Sequence, residues 1–125
     1  MSSYLLDSDC SIYAMLGTHD ALRQRLAQCE PGEVAISAVS FAEIMMGENL
    51  GHPPDIEVIE DFVSVVPIIP FDEAAARAYA KLPFKRARFD RLLAAHALSI
   101  GAMVVTNNEA DFADVPGLAI ENWTL

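Results

Sequence analysis

Histidine, cysteine, glycine-rich turns and long apolar runs are scarce in this chain, and each shortage removes a class of function. The two cysteines, Cys10 and Cys29, form no CxxC pair and are too few for a disulfide scaffold. The three histidines show no HxxxH spacing and no Cys/His cluster, which disfavours zinc. There is no GxSxG elbow, no phosphate-binding P-loop and no glycine-rich dinucleotide turn. No apolar stretch approaches the roughly 20 residues needed to cross a bilayer. The start of the chain carries no basic segment and meets an acid at Asp7, so no signal peptide is expected and the cytoplasm is the expected compartment.

Positive charge is scarce as well. Eight basic residues face eighteen acids, for a formal charge of −10, which sets the chain as a whole against phosphate backbones. Six of the eight (Arg77, Lys81, Lys85, Arg86, Arg88 and Arg91) nevertheless fall between positions 77 and 91, beside Asp90. Such a segment can guide a phosphodiester toward a metal held by acids, with Lys85, Arg86 and Arg88 as the candidate phosphate contacts. A solvated helix end and loop accounts for the same charges.

What is present is a core. At 125 residues and 53% apolar content, the chain fits one domain over residues 1–125, burying roughly two-thirds of its unfolded surface. Residues 3–6 read as a strand, 11–17 as a short helix closed by Gly17, and 20–29 as an amphipathic helix. Residues 34–37 form the second strand, and helices follow at about 41–49 and 55–64. The two prolines within 65–71 point to a short edge strand. Asp72 caps a helix running to about residue 82, and another helix runs from about 88 to Gly101. Strands at 102–105 and 118–120 complete the pattern. Strands separated by helices predict an α/β fold with a mainly parallel central sheet flanked by helices. Ligands of such sheets sit outside the carboxyl ends of the strands.

Three acids interrupt apolar surroundings. Asp7 ends the run Tyr4-Leu5-Leu6, while Glu43 and Asp90 lie on otherwise apolar helical faces. A buried carboxylate is costly unless it is paired or bound to metal, so three of them suggest a shared oxygen-donor site for magnesium or manganese. Each has a structural alternative. Ser40-Phe41-Ala42-Glu43 matches a capping box, and Asp90 near a helix start complements the macrodipole. Thr106-Asn107-Asn108-Glu109 is a second capping-box pattern, which gives Glu109 a structural role. Asp111 reads as a ligand or a solvated loop acid. Thr106 and Ser37 are placed to hold Asp7 by hydrogen bonds. His96, flanked by alanines, reads as a core or interface residue.

The pieces YLLDSD (4–9), AISAVSFAEIMMG (35–47), FDRLLAAHALSIGAMVVTNNEADF (89–112) and VPGLAIENW (115–123) resemble, in order, PIN-domain proteins of the VapC-type toxin group. The resemblance implies a Mg²⁺-dependent endoribonuclease, with Mn²⁺ as a substitute, that serves as toxin of a VapBC-type toxin–antitoxin module. It places Asp7, Glu43 and Asp90 at the catalytic, metal-binding centre. It also implies a VapB-like antitoxin and a homodimer, for which Met45, Met46, Leu50 and the 55–64 helix supply apolar surface. Two positions depart from the family's pattern: Asp7-Ser8-Asp9 replaces aspartate-threonine-asparagine, and Asn108 stands where a fourth acid is common. The fourth ligand is then Asn108 or Asp111. Two rival readings remain: a haloacid-dehalogenase-like phosphatase using Asp7 and Asp9, and a PIN-fold module without catalysis.

Overall fold

A computed structural model describes residues 2–83 and 89–125. Lys85, Arg86 and Arg88 lie outside the described residues. The element order is β1 (Tyr4–Leu6), α1 (Ser8–Leu16), α2 (Asp20–Ala27), β2 (Val34–Ser37), α3 (Ala38–Asn49), α4 (Ile56–Val65), β3 (Ile68–Ile69), α5 (Glu73–Ala80), α6 (Phe89–Ile100), β4 (Met103–Val105) and β5 (Ile120–Glu121). A single 3₁₀ turn at Glu109–Asp111 follows β4.

The strands form one sheet in the order β3-β2-β1-β4-β5, and every pairing is parallel. The period of two along β1 sorts the core. Leu5 aligns with Ala35 and Val104, and this face packs against Leu93, Ala94 and Ala97 of α6 together with Phe112 and Val115. Leu6 aligns with Ile36 and Val105 on the other face, over Cys10, Leu22 and Trp123. Both faces are covered by helices, which is why the strands read as unbroken apolar runs. Ala94 and Ala97 are small enough for α6 to lie close to the sheet. Gly17 closes α1 at φ +70°, where a side chain would be strained, and its N–H caps the Tyr13 carbonyl.

Two helices start earlier than expected. α1 begins at Ser8, because Asp7 itself caps it: the carboxylate accepts the Cys10 N–H at 2.8 Å. α3 begins at Ala38, capped by Ser37, whose hydroxyl accepts the Val39 N–H at 3.0 Å. The expected capping box at Ser40–Glu43 is therefore not formed, and Glu43 sits inside the helix. The last strand also lies two residues later than expected, at Ile120–Glu121. Met46, Leu50 and Val65 leave apolar surface exposed along α3 and α4, while Met45 is half-buried.

Arg91 is a buried cation, its side chain 5% exposed, held by Asp114 at 2.5 Å. The pair ties α6 to the loop that seats Phe112 and Val115. Removing the carboxylate strands the buried guanidinium, whereas an apolar side chain in place of the cation leaves only the exposed Asp114 behind. Asp114→Ala should therefore cost about 2 kcal/mol or more, and Arg91→Met clearly less. Urea denaturation of both variants checks the order.

Candidate active site

The carboxyl edge of the sheet gathers the acids. Asp7 leaves β1, the central strand, and its N–H bonds to the Val105 carbonyl at 3.0 Å, which anchors it to β4. The residue is 7% exposed. Burial pushes the pKa of its carboxyl above the ordinary aspartate value, and hydrogen bonds from the Thr106 side chain and from Cys10 act in the opposite direction. Ser11 locks the turn from behind, its hydroxyl donating to the Asp7 carbonyl at 2.8 Å. Cys10 is buried beside Asp7, and both burial and that carboxylate push its thiol upward, so it is an inert core group.

Glu43 arrives from α3 and Asp90 from the first turn of α6; both are half-buried. The Glu43 carboxyl is pushed up to about 7, first by burial and next by the charge of Asp90. Asp9 and Asp7 add smaller pushes in the same direction, and a hydrogen bond with Ser8 opposes them. Four carboxylates from three helices thus share one electrostatic field. Among the described residues, no ion pair reaches Asp7, Asp9 or Glu43. Also among the described residues, no three His, Cys, Asp or Glu side chains stand close enough to coordinate one ion as they are placed. The backbone frame brings the acids to one edge, and side-chain rotation would have to close the set. All the donors are oxygens, which fits a hard divalent cation.

The remaining expectations divide. Thr106 is fully buried, touches Asp7 and accepts the Asn108 N–H at 2.9 Å. Asn108 reaches the acidic edge through Asp9, donating from Nδ2 to Oδ2 at 3.2 Å. Asp111 is exposed in the 3₁₀ turn, and neither Asp7 nor Glu43 feels its charge. The expected capping box before Glu109 is absent, because Thr106 engages Asn108 and Glu109 is exposed. Ser37 does not hold Asp7: its hydroxyl bonds to Val39 and to His96 Nδ1 at 2.8 Å. His96 is a core residue as expected, 1% exposed, edge-on to Phe71, with burial lowering its basicity. Two contributors were not expected at the site. Asp9 joins the acid field, and Ser8 bonds to Glu43; the signal for both was their position in the first turn of a helix capped by Asp7.

An open hollow of about 650 Å³ lies elsewhere, at the opposite sheet edge, lined by Leu26, Val34, Phe62 and Val66 among others. It contains none of these acids.

The PIN domain model matches residues 4–118. The tRNA(fMet)-specific endonuclease VapC of Shigella flexneri is 32% identical over 99% of this chain and 100% of its own length. The chain belongs to the PIN-domain family, among its VapC members. Its fold matches the DNA-bound VapBC structure from Salmonella typhimurium with a TM-score of 0.86, at 27% identity, covering 98% of this chain and 99% of that one. The promoter-bound VapBC2 structure from Rickettsia felis matches at 0.81, with 28% identity and coverage of 96% and 98%. PIN-domain nucleases generally depend on divalent metal. The family match runs through Asp7, Glu43 and Asp90, and it gives no support to the phosphatase alternative. Lys81, which that alternative would need, is exposed in a hollow with Leu98 and Ser99, at the far end of α6 from Asp90. Among the described residues, no helix is long and apolar enough to cross a membrane.

The raised Glu43 carboxyl has a sign that can be tested. The folded state holds this proton more tightly than the unfolded chain does. Without metal, stability should therefore fall as pH rises from the ordinary glutamate value of 4.5 through about 7. Chemical denaturation in chelator across that window should show the decline. Glu43→Gln should flatten it; an equal slope in both proteins would count against the shared field.

Proposed function

We propose that this chain is a Mg²⁺-dependent endoribonuclease, with Mn²⁺ as a working substitute, and the toxin of a VapBC-type module. The observation that carries this reading is the carboxylate field at the strand ends, where Glu43 is held near 7 by burial and Asp90. Residues 1–125 act as one domain in the cytoplasm. Asp7 and Asp90 are the chief ligands, with Glu43 completing the set and Asn108 as the fourth position. Asp111 is the weaker choice, because it is exposed and uncoupled from the acids.

A divalent cation held by Asp7, Asp90 and Glu43 would supply acidified water and charge stabilisation at the phosphate. The protein's own work is positioning. Thr106 and the Cys10 N–H fix the Asp7 carboxylate, and Asn108 fixes Asp9 by a hydrogen bond. Glu43, as a ligand or beside the ligands, would orient the attacking water. Attack in line with the leaving 3′ oxygen forms a new P–O bond to water and breaks the P–O3′ bond. The products carry a 5′-phosphate and a 3′-hydroxyl.

Lys85, Arg86 and Arg88 lead into the Asp90 helix, and we assign them to guiding the RNA backbone. The related VapBC structures support a VapB-like antitoxin, whose basic or amphipathic tail would reach the acidic edge. The exposed Met46, Leu50 and Val65 favour a homodimer.

On total RNA with Mg²⁺, the chain should cleave internal bonds. Loss of several kcal/mol of charge stabilisation should lower the rate of Asp7→Asn by about 100-fold or more, and Thr106→Val by about tenfold. Undiminished cleavage by Asp7→Asn would reject the assignment. Reversing Lys85 and Arg88 to glutamate should weaken cleavage and flatten its salt dependence, with the melting temperature nearly unchanged. Rates measured across a salt series check this.

A further inference from the structure

An aromatic pair stands beside the acidic edge, outside the catalytic set. Tyr13 lies four residues after Asp9 on α1, so the two share a face one turn apart. Two consecutive residues beyond β4 reach that face. Asn108 bonds to Asp9, and Asn107 Nδ2 donates to the Tyr13 hydroxyl at 3.2 Å. One short loop thus sets the aromatic ring and the acid in a common frame.

His19 completes the pair. It holds the N-cap position of α2, where Ser, Thr, Asp or Asn normally accept an amide, yet its side chain makes no capping hydrogen bond. Its ring instead stacks on Tyr13, with centroids 4.1 Å apart and planes at 29°. Thr18 fixes the ring edge, its hydroxyl 2.8 Å from His19 Nδ1. Tyr13 packs inward against the Leu6–Trp123 cluster, so the half-buried imidazole is the outer layer of the stack.

We propose that His19, backed by Tyr13, is a stacking seat for one unpaired base of the RNA beside the bond to be cut. The inference rests on the ribonuclease reading and deepens it. With a formal charge of −10 opposing the few basic residues assigned to the backbone, the chain's hold on RNA gains from a further source indifferent to charge. Stacking on an aromatic ring is such a source, open to any base and stronger for a single strand than for a duplex.

The test uses the full chain carrying Asp7→Asn, with Mg²⁺, and short single-stranded RNAs containing 2-aminopurine at successive positions. Binding should quench emission strongly at one position. Adding His19→Ala should remove that quench and weaken binding about tenfold. His19→Phe, which keeps an aromatic face, should retain both, and this separates stacking from a merely structural role. Tyr13→Phe keeps the stack but loses the Asn107 bond, and it should leave the quench in place at a weaker affinity. Normal quenching and binding in a folded His19→Ala variant would overturn the stacking seat while leaving the ribonuclease intact. If the wild-type chain neither binds nor cuts RNA, both readings fall.

Discussion

The structure depends on one electrostatic constraint: four carboxylates are held at one edge of a parallel sheet against their mutual repulsion. The sheet imposes the placement. β1 is the central strand, bonded to β2 and β4, so Asp7 has no room to withdraw into solvent. Glu43 and Asp90 are brought to the same edge by helices whose opposite faces are committed to the core. The cost appears directly in Glu43, whose carboxyl is pushed up to about 7. On the proposed reading a cation would offset that cost, and the same charge that destabilises the metal-free chain would become the affinity of the site.

The supports of the site are as local as its ligands are distant. Asp7 serves as both the end of β1 and the cap of α1, so the residue that ends the strand also starts the helix. Thr106 does parallel work at the end of β4, touching Asp7 and turning the chain so that Asn107 and Asn108 face α1. The loop after β4 therefore braces the acids on one side and the Tyr13–His19 stack on the other. Catalytic positioning and the proposed grip on a base share a single element.

Much of this was legible in the sequence because the signals were local. Val34–Ser37 is an apolar run bounded by Pro31-Gly32 and a serine, and it is a strand at those bounds. Asp72 caps α5 as expected, bonding to the Ala75 N–H at 3.0 Å. The start of α3 was not legible, since Ser37 and Ser40 are both competent caps. A contact across 59 positions coincides with the choice: Ser37 bonds to His96, and Ser40 is left buried with its hydroxyl unpartnered among the described residues. The same contact engages the Ser37 hydroxyl away from Asp7. Asp9 was weighed only as part of the phosphatase alternative for a related reason, because its bond to Asn108 spans 99 positions and leaves no periodic trace. Asp7, Glu43 and Asp90 stood out because burial of a carboxylate in an apolar pattern needs a reason.

The most direct test of the central claim is the titration of Glu43 itself. Carbon-13 NMR of the labelled side-chain carboxyl, followed against pH with chelator and then with saturating Mg²⁺, reads the field at the atom that reports it. The account predicts a midpoint near 7 without metal, falling toward or below the ordinary glutamate value of 4.5 once Mg²⁺ is bound. A midpoint already near 4.5 in chelator, or one that Mg²⁺ leaves in place, would contradict it.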